Sequence, residues 1–126
     1  MTRKLLTISL SLLCAVALYA QDKKNVKLTG YLIDNMCASH HAEDADFAEE
    51  VKGHSVKCAL MPGCESSGFA VVADGKLYKF DDAGNKSATE LLHSTKTKKG
   101  MQVAVEGTLE GDTLHVAKLS EVTKAE

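Results

Sequence analysis

Tryptophan is absent from this chain, and three tyrosines and three phenylalanines make up its whole aromatic complement. Surfaces that stack nucleobases or sugar rings are built on aromatic faces, so no such platform is visible. An excess of positive charge is missing too. The chain carries 15 basic side chains against 17 acidic ones, and two of the basic residues, Arg3 and Lys4, belong to a leader. That balance argues against a general binder of nucleic acid or of anionic membranes. There is no C-x-x-C redox pair, no C-x-x-C-H haem-attachment motif, and no EF-hand spacing of glycine and oxygen ligands. After the leader, no apolar run approaches the roughly 20 residues that a membrane-spanning helix needs.

What is present begins with an export signal over residues 1–20. Arg3 and Lys4 supply the positive start, residues 5–18 are almost unbroken apolar sequence, and Leu18-Tyr19-Ala20 offers a small-residue cleavage site before the polar Gln21-Asp22-Lys23-Lys24. Ala15-Val16-Ala17 is a competing site. Cys14 follows Leu12-Leu13, whereas a lipoprotein signal places a small residue before its cysteine, so Cys14 is read as part of the discarded leader. The remaining residues, 21–126, suffice for one small domain in the periplasm or outside the cell. A core of that size gains from a disulfide or metal staple.

Discarding Cys14 leaves an odd number of cysteines: Cys37, Cys58 and Cys64. Cys37 is followed by His40 and His41, and Met61 lies between the other two, so the soft and borderline ligands gather in one stretch. Three thiolates and the imidazole of His41 form the ligand set of a tetrahedral zinc site. Met36, Met61 and His40 extend it toward Cu(I), which prefers sulfur. The competing reading is structural: one disulfide and one leftover thiol, as export to an oxidising compartment favours, with connectivity open.

The pattern along the chain predicts a strand over residues 26–34 with a bulge or bend at Gly30, then a break at 35–41. An amphipathic helix is expected over 42–52, with Phe47, Ala48 and Val51 on its inner face. Residues 55–68 read as a cysteine-bearing loop. Two β-rich runs, 69–73 and 76–80, are joined by the hairpin signal Asp74-Gly75. A turn at 81–85, a short helix at 87–93 with Leu91 and Leu92 inward, and strands at 101–109 and 113–122 complete the order. Five strands with a helix between the third and fourth suit a small OB-like Greek-key barrel, mainly β within the α+β class, with a helical Cys/His insertion at 35–68. A plain five-stranded α+β roll is the competing architecture.

Other candidates carry less. A catalytic cysteine needs a lowered pKa; His40 and His41 stand near Cys37 but so do Glu43, Asp44 and Asp46, which oppose a thiolate. Those acids, with Glu49 and Glu50, read as a solvated helix face. His54 is close enough in sequence to join the cluster but, beside Gly53, reads as a loop residue, and His115, alternating with Leu114 and Val116, as a solvent-facing one. Lys96, Lys98 and Lys99 form a local basic patch, ordinarily a soluble loop.

The run Gly30-Tyr31-Leu32-Ile33-Asp34-Asn35-Met36-Cys37, then Cys58-Ala59-Leu60-Met61, Ser67-Gly68-Phe69-Ala70-Val71 and Asp74-Gly75-Lys76, resembles a group of small exported bacterial proteins with no assigned reaction. Over the tail from Phe69 the chain is also similar, more weakly, to periplasmic OB-fold proteins of Gram-negative bacteria. The resemblance implies export and an OB-like β domain, and maps the group's shared Cys-x3-His and cysteine pair onto Cys37, His41, Cys58 and Cys64. The expectation is therefore an exported envelope binding module holding zinc or copper through those four residues, with His40 or Met61 as substitutes. The alternative is a disulfide-stabilised OB-like domain whose face near residues 96–99 binds a peptide, oligosaccharide or partner protein. An enzyme ranks third.

Overall fold

The computed structural model describes residues 23–123; the leader expected at residues 1–20 lies outside the described residues. Five strands, β1 (Lys24–Asp34), β2 (Phe69–Ala73), β3 (Lys76–Phe80), β4 (Gln102–Glu110) and β5 (Thr113–Glu121), are hydrogen-bonded in a ring in the order β1-β2-β3-β5-β4. β1 pairs antiparallel with β4 along most of its length and with β2 at its end. The parallel pair, β3 with β5, spans only Lys79↔Thr113 and Phe80↔Leu114. The fold is α+β, with a mixed five-stranded sheet and helices inserted between β1 and β2 as the sequence pattern implies.

The change of pattern in β1 has a structural cause. Up to Thr29 only the inward residues Val26 and Leu28 are partly covered, whereas Leu32, Ile33 and Asp34 are all buried. Beyond Gly30 the strand is covered on both faces, the setting in which strands read as continuous apolar runs. Leu32 joins the core inside the ring, with Phe69, Val71, Phe80, Val103, Val105 and Leu114. Ile33 joins a second cluster outside it, with Ala38, Phe47, Val51, Ala70 and Val72. β2 alternates between the two clusters, Phe69 and Val71 in the first and Ala70 and Val72 in the second, and all five of its residues are buried. Gly30 sits where β1 passes from one neighbour to the other: a Cβ there would lie 2.2 Å from the Val72 carbonyl oxygen.

The β2–β3 hairpin turns on Asp74 (φ 51°) and Gly75 (φ 73°), both left-handed as a type I′ turn requires. Between β3 and β4 lies α5 (Asp82–Ser94), which begins earlier than the expected 87 because the Asp81 carboxylate accepts from the Gly84 N–H at 2.9 Å. Ala88 and Leu92 of this helix pack into the ring's core, and Leu91 is only partly buried.

The insertion departs most from the expected pattern. Residues 35–41, expected as a break, form α1 (Asn35–His41). The helix expected over 42–52 shrinks to α2 (Phe47–Glu50) and a 3-10 turn, Val51–Gly53, with Phe47 and Val51 inward and Ala48 exposed. The expected loop at 55–68 holds two short helices, α3 (Val56–Ala59) and α4 (Pro62–Ser66). Short helices owe their form to caps and packing more than to propensity, which is why the hydropathy pattern did not reveal them. Among the described residues, no helix is long and apolar enough to cross a membrane.

The close approach at Gly30 gives a direct test. Gly30→Ala should lower unfolding free energy by about 2 kcal/mol or more, because the new Cβ meets backbone rather than a movable side chain. Gly53→Ala, where nothing lies within 4 Å of the added atom, should change it by about 1 kcal/mol or less. Denaturant titration of both variants measures the contrast.

A candidate thiol–imidazole centre

The three cysteines share one local rule. Each is the third residue after the cap of a short helix: Asp34 before Cys37, Ser55 before Cys58, Met61 before Cys64. Two caps bond those cysteines directly, the Cys37 N–H donating to Asp34 Oδ1 at 2.8 Å and the Cys58 N–H to Ser55 Oγ at 3.0 Å. Each cysteine therefore sits in the first turn of its helix, and the fold brings these turns together. Cys37 Sγ and Cys58 Sγ are 4.0 Å apart. The Cys64 sulfur lies within 4.8 Å of the Cys37 sulfur and of an Asp34 carboxylate oxygen. Among the described residues all three thiols are unpaired, with Cys64 buried and the other two half-buried.

Asp34, at 0% exposure, organises the centre. While Oδ1 caps α1, Oδ2 accepts from His54 Nε2 at 2.9 Å. A carboxylate only accepts, so this bond puts a proton on Nε2, and the neutral ring then carries its lone pair on Nδ1. The backbone holds His54 from both sides: its N–H donates to the Val51 carbonyl at 3.2 Å, and its carbonyl accepts from the Gly100 N–H at 2.9 Å. One nitrogen of its ring lies within 4.8 Å of both the Cys37 and Cys58 sulfurs. Cys37 thus belongs to two overlapping groups, one with His54 and Cys58 and one with Asp34 and Cys64.

The other sequence-derived candidates sit apart from these groups. His41 Nδ1 faces Asp44 Oδ2 at 2.9 Å and Glu50 Oε2 at 3.2 Å. The Asp44 bond, then Glu50, raises its pKa. It does line the same cavity of about 290 Å³ as Cys37, His54 and Cys58, beside apolar Ile33, Phe47 and Val51. His40 is exposed, as are Met36 (43%) and Met61 (55%). The acids Glu43, Asp44, Asp46, Glu49 and Glu50 are all solvent-exposed, and His115 faces solvent. Sequence reasoning set His54 aside as a loop residue and gave Asp34 no role in the site. A local signal existed: Ser55-x-x-Cys58 is a cap-and-first-turn pattern that puts His54 just ahead of the same turn as Cys58, and Asp34-x-x-Cys37 repeats it.

Charge decides what this centre can do. Burial pushes the Asp34 carboxyl up, but the bonds from His54 and from the Cys37 N–H outweigh it and hold the group below its ordinary 3.8. Burial, followed by the Asp34 carboxylate, pushes the thiols of Cys37 and Cys64 up. These two cysteines therefore stay protonated at neutral pH, poor nucleophiles without a cation. A bound metal ion inverts that logic by deprotonating its thiol ligands. A histidine whose second nitrogen donates to a carboxylate is the arrangement that orients metal-ligating imidazoles. No protein-family model, curated protein or solved structure matches the chain.

The lowered Asp34 pKa fixes a sign. Its stabilising contribution is complete above 3.8 and is lost as pH falls through the lower folded-state value. Asp34→Ala should cost about 3 kcal/mol at neutral pH, since it removes a helix cap and strands His54. The gap between parent and variant should narrow progressively below pH 3.8. Thermal melts of both proteins across that range check it.

Proposed function

We propose that this chain is an exported envelope module with an OB-like five-stranded barrel that binds one thiophilic transition-metal ion, zinc or Cu(I). The observation that carries the reading is the grouping of Cys37, Cys58 and His54, with the Cys37 and Cys58 sulfurs 4.0 Å apart and the Cys64 sulfur near Cys37 alone of the two. Tetrahedral zinc with Zn–S bonds of about 2.3 Å separates its sulfurs by about 3.8 Å, so Cys37 and Cys58 need little movement to share an ion, while Cys64 must move closer to Cys58. Cys37 and Cys58 supply sulfur, Cys64 adds a third from the group it shares with Cys37 and Asp34, and His54 is the imidazole donor grouped with the first two, with Asp34 as its orienting partner. His41, the donor favoured by sequence spacing, lines the same cavity. The OB-like reading of the fold is supported by the ring order β1-β2-β3-β5-β4 and by α5 lying between β3 and β4.

A second reading, a disulfide-stabilised interaction domain, is favoured by the same pair: sulfurs 4.0 Å apart need only side-chain rotation to bond, provided the backbone spacing suits. Thiol and metal counts on the exported protein separate the two. One zinc or copper per chain with three thiols titratable after denaturation supports the metal centre; one thiol and no metal overturns it. Cys58→Ser should abolish stoichiometric binding. His54→Ala and Asp34→Asn should each weaken it by about 10- to 100-fold, while His41→Ala leaves it nearly unchanged. The reverse pattern would make His41 the ligand. Because protonated thiols must release protons to bind metal, affinity should fall steeply as the solution is acidified. A chelator should lower the melting temperature, as the insertion loses its tie.

A further inference from the structure

On the far side of α3 from the thiols lies a groove of about 850 Å³, within the range of about 300–1,000 Å³ common to small-molecule sites. Its apolar lining comes from Val56, Leu60, Met61 and Leu92. Leu92 belongs to the buried core, and Val56 and Leu60 pack against it, so the lining is firmly founded. Lys57, Lys98 and Lys99 line it as well, and no carboxylate does. Among the described residues none of these three lysines forms an ion pair; the pairs that lysines make involve Lys27 and Lys52. The nearby acid, Glu121, is committed to the hydroxyls of Thr95 and Thr97.

The groove is preformed. The Val56 N–H donates to the Lys98 carbonyl at 2.9 Å, Ser55 bridges Lys99, and the Thr95 N–H closes on the Leu91 carbonyl at 2.8 Å. These bonds also narrow the choice of occupant. An extended peptide needs backbone partners, yet the amides of Val56, Thr97 and Gly100 and the carbonyl of Lys98 are already bonded within the protein. No aromatic face lines the groove on which a sugar ring could stack. What fits is a molecule without amides, apolar along its length and anionic at one end.

We propose that this groove binds a fatty-acid anion, its hydrocarbon tail along Val56, Leu60, Met61 and Leu92 and its carboxylate among Lys57, Lys98 and Lys99. The site is independent of the metal reading, since none of these residues is a thiol, imidazole or carboxylate of that centre. Isothermal titration of the exported protein with sodium dodecanoate, kept below its micelle concentration, tests it. One saturable site per chain is expected, weakening by up to about fourfold for each methylene removed toward octanoate. Raising salt should weaken it further. Met61→Glu and the double variant Lys98→Glu/Lys99→Glu, all at exposed positions, should each reduce affinity by about tenfold or more with circular dichroism unchanged. Dodecyltrimethylammonium, equal in tail but opposite in charge, should not bind.

Non-saturating uptake, equal binding of the cationic analogue, no chain-length dependence, or affinity unmoved in both folded variants would each overturn the proposal. So would saturable binding of an acidic peptide without binding of dodecanoate. Should either variant fail to fold, the comparison of the anionic and cationic amphiphiles on the parent protein still decides the question.

Discussion

The carboxylate of Asp34 is the interaction on which the insertion depends. It ends β1, caps α1 and receives the imidazole of His54 from across the 3-10 turn, with both oxygens engaged and none of its surface in water. A buried charge of this kind is tolerable only when it is fully hydrogen-bonded. Here the bonds come from the backbone N–H of Cys37, 3 residues on from Asp34, and the ring N–H of His54, 20 residues on. Burial first, and then the same charge, pushes the Cys37 and Cys64 thiols up, so a device that fixes the insertion also adds to the chemistry of its cysteines.

Around that charge the molecule divides its apolar residues between two cores. The ring encloses one, closed at an end by Ala88 and Leu92 of α5. The other lies between the outer face of β1–β2 and the insertion, where Phe47 and Val51 meet Ile33, Ala70 and Val72. The thiol–imidazole centre is at the edge of the second core, and the lysine-bearing groove lies across α3 from it. Neither could be assembled by the strands alone. β1 and β2 provide the wall, and the short helices bring the reactive side chains to it.

How much of this was legible in the sequence follows from which forces are local. The Asp74-Gly75 hairpin, the paired strands at the tail and the helix between β3 and β4 were readable, because turn chemistry and hydropathy period act over a few residues. The short helices of the insertion were not. Their apolar positions are too few to show a period, and their caps were legible only as isolated polar residues. The cysteines were read as a cluster in sequence; in space Cys37 is near both Cys58 and Cys64, which share no group with each other. The imidazole beside them is His54, which reaches Asp34 only because the chain doubles back through a 3-10 turn and is held there by Gly100. That contact is long-range, and spacing along the chain favoured His41 instead.

The shortness of the β3–β5 pairing bears on how the domain comes apart. Long ladders tie β1 to β4 and β4 to β5, whereas the ring closes through two residue pairs and a few bonds around Asp81, including the Asp81 N–H to the Leu114 carbonyl and the Val116 N–H to Asp81 Oδ1. Mechanically the sheet is a strip with a latch. Asp81 serves the latch and the start of α5 at once, so releasing it frays a helix and opens the strip in a single event. The thiol–imidazole centre hangs from the β1–β2 panel, away from the latch. The Cys37 and Cys58 turns therefore sit off the seam, and His54 is the member of the centre tied to the connection that follows α5, through the Gly100 N–H on its carbonyl.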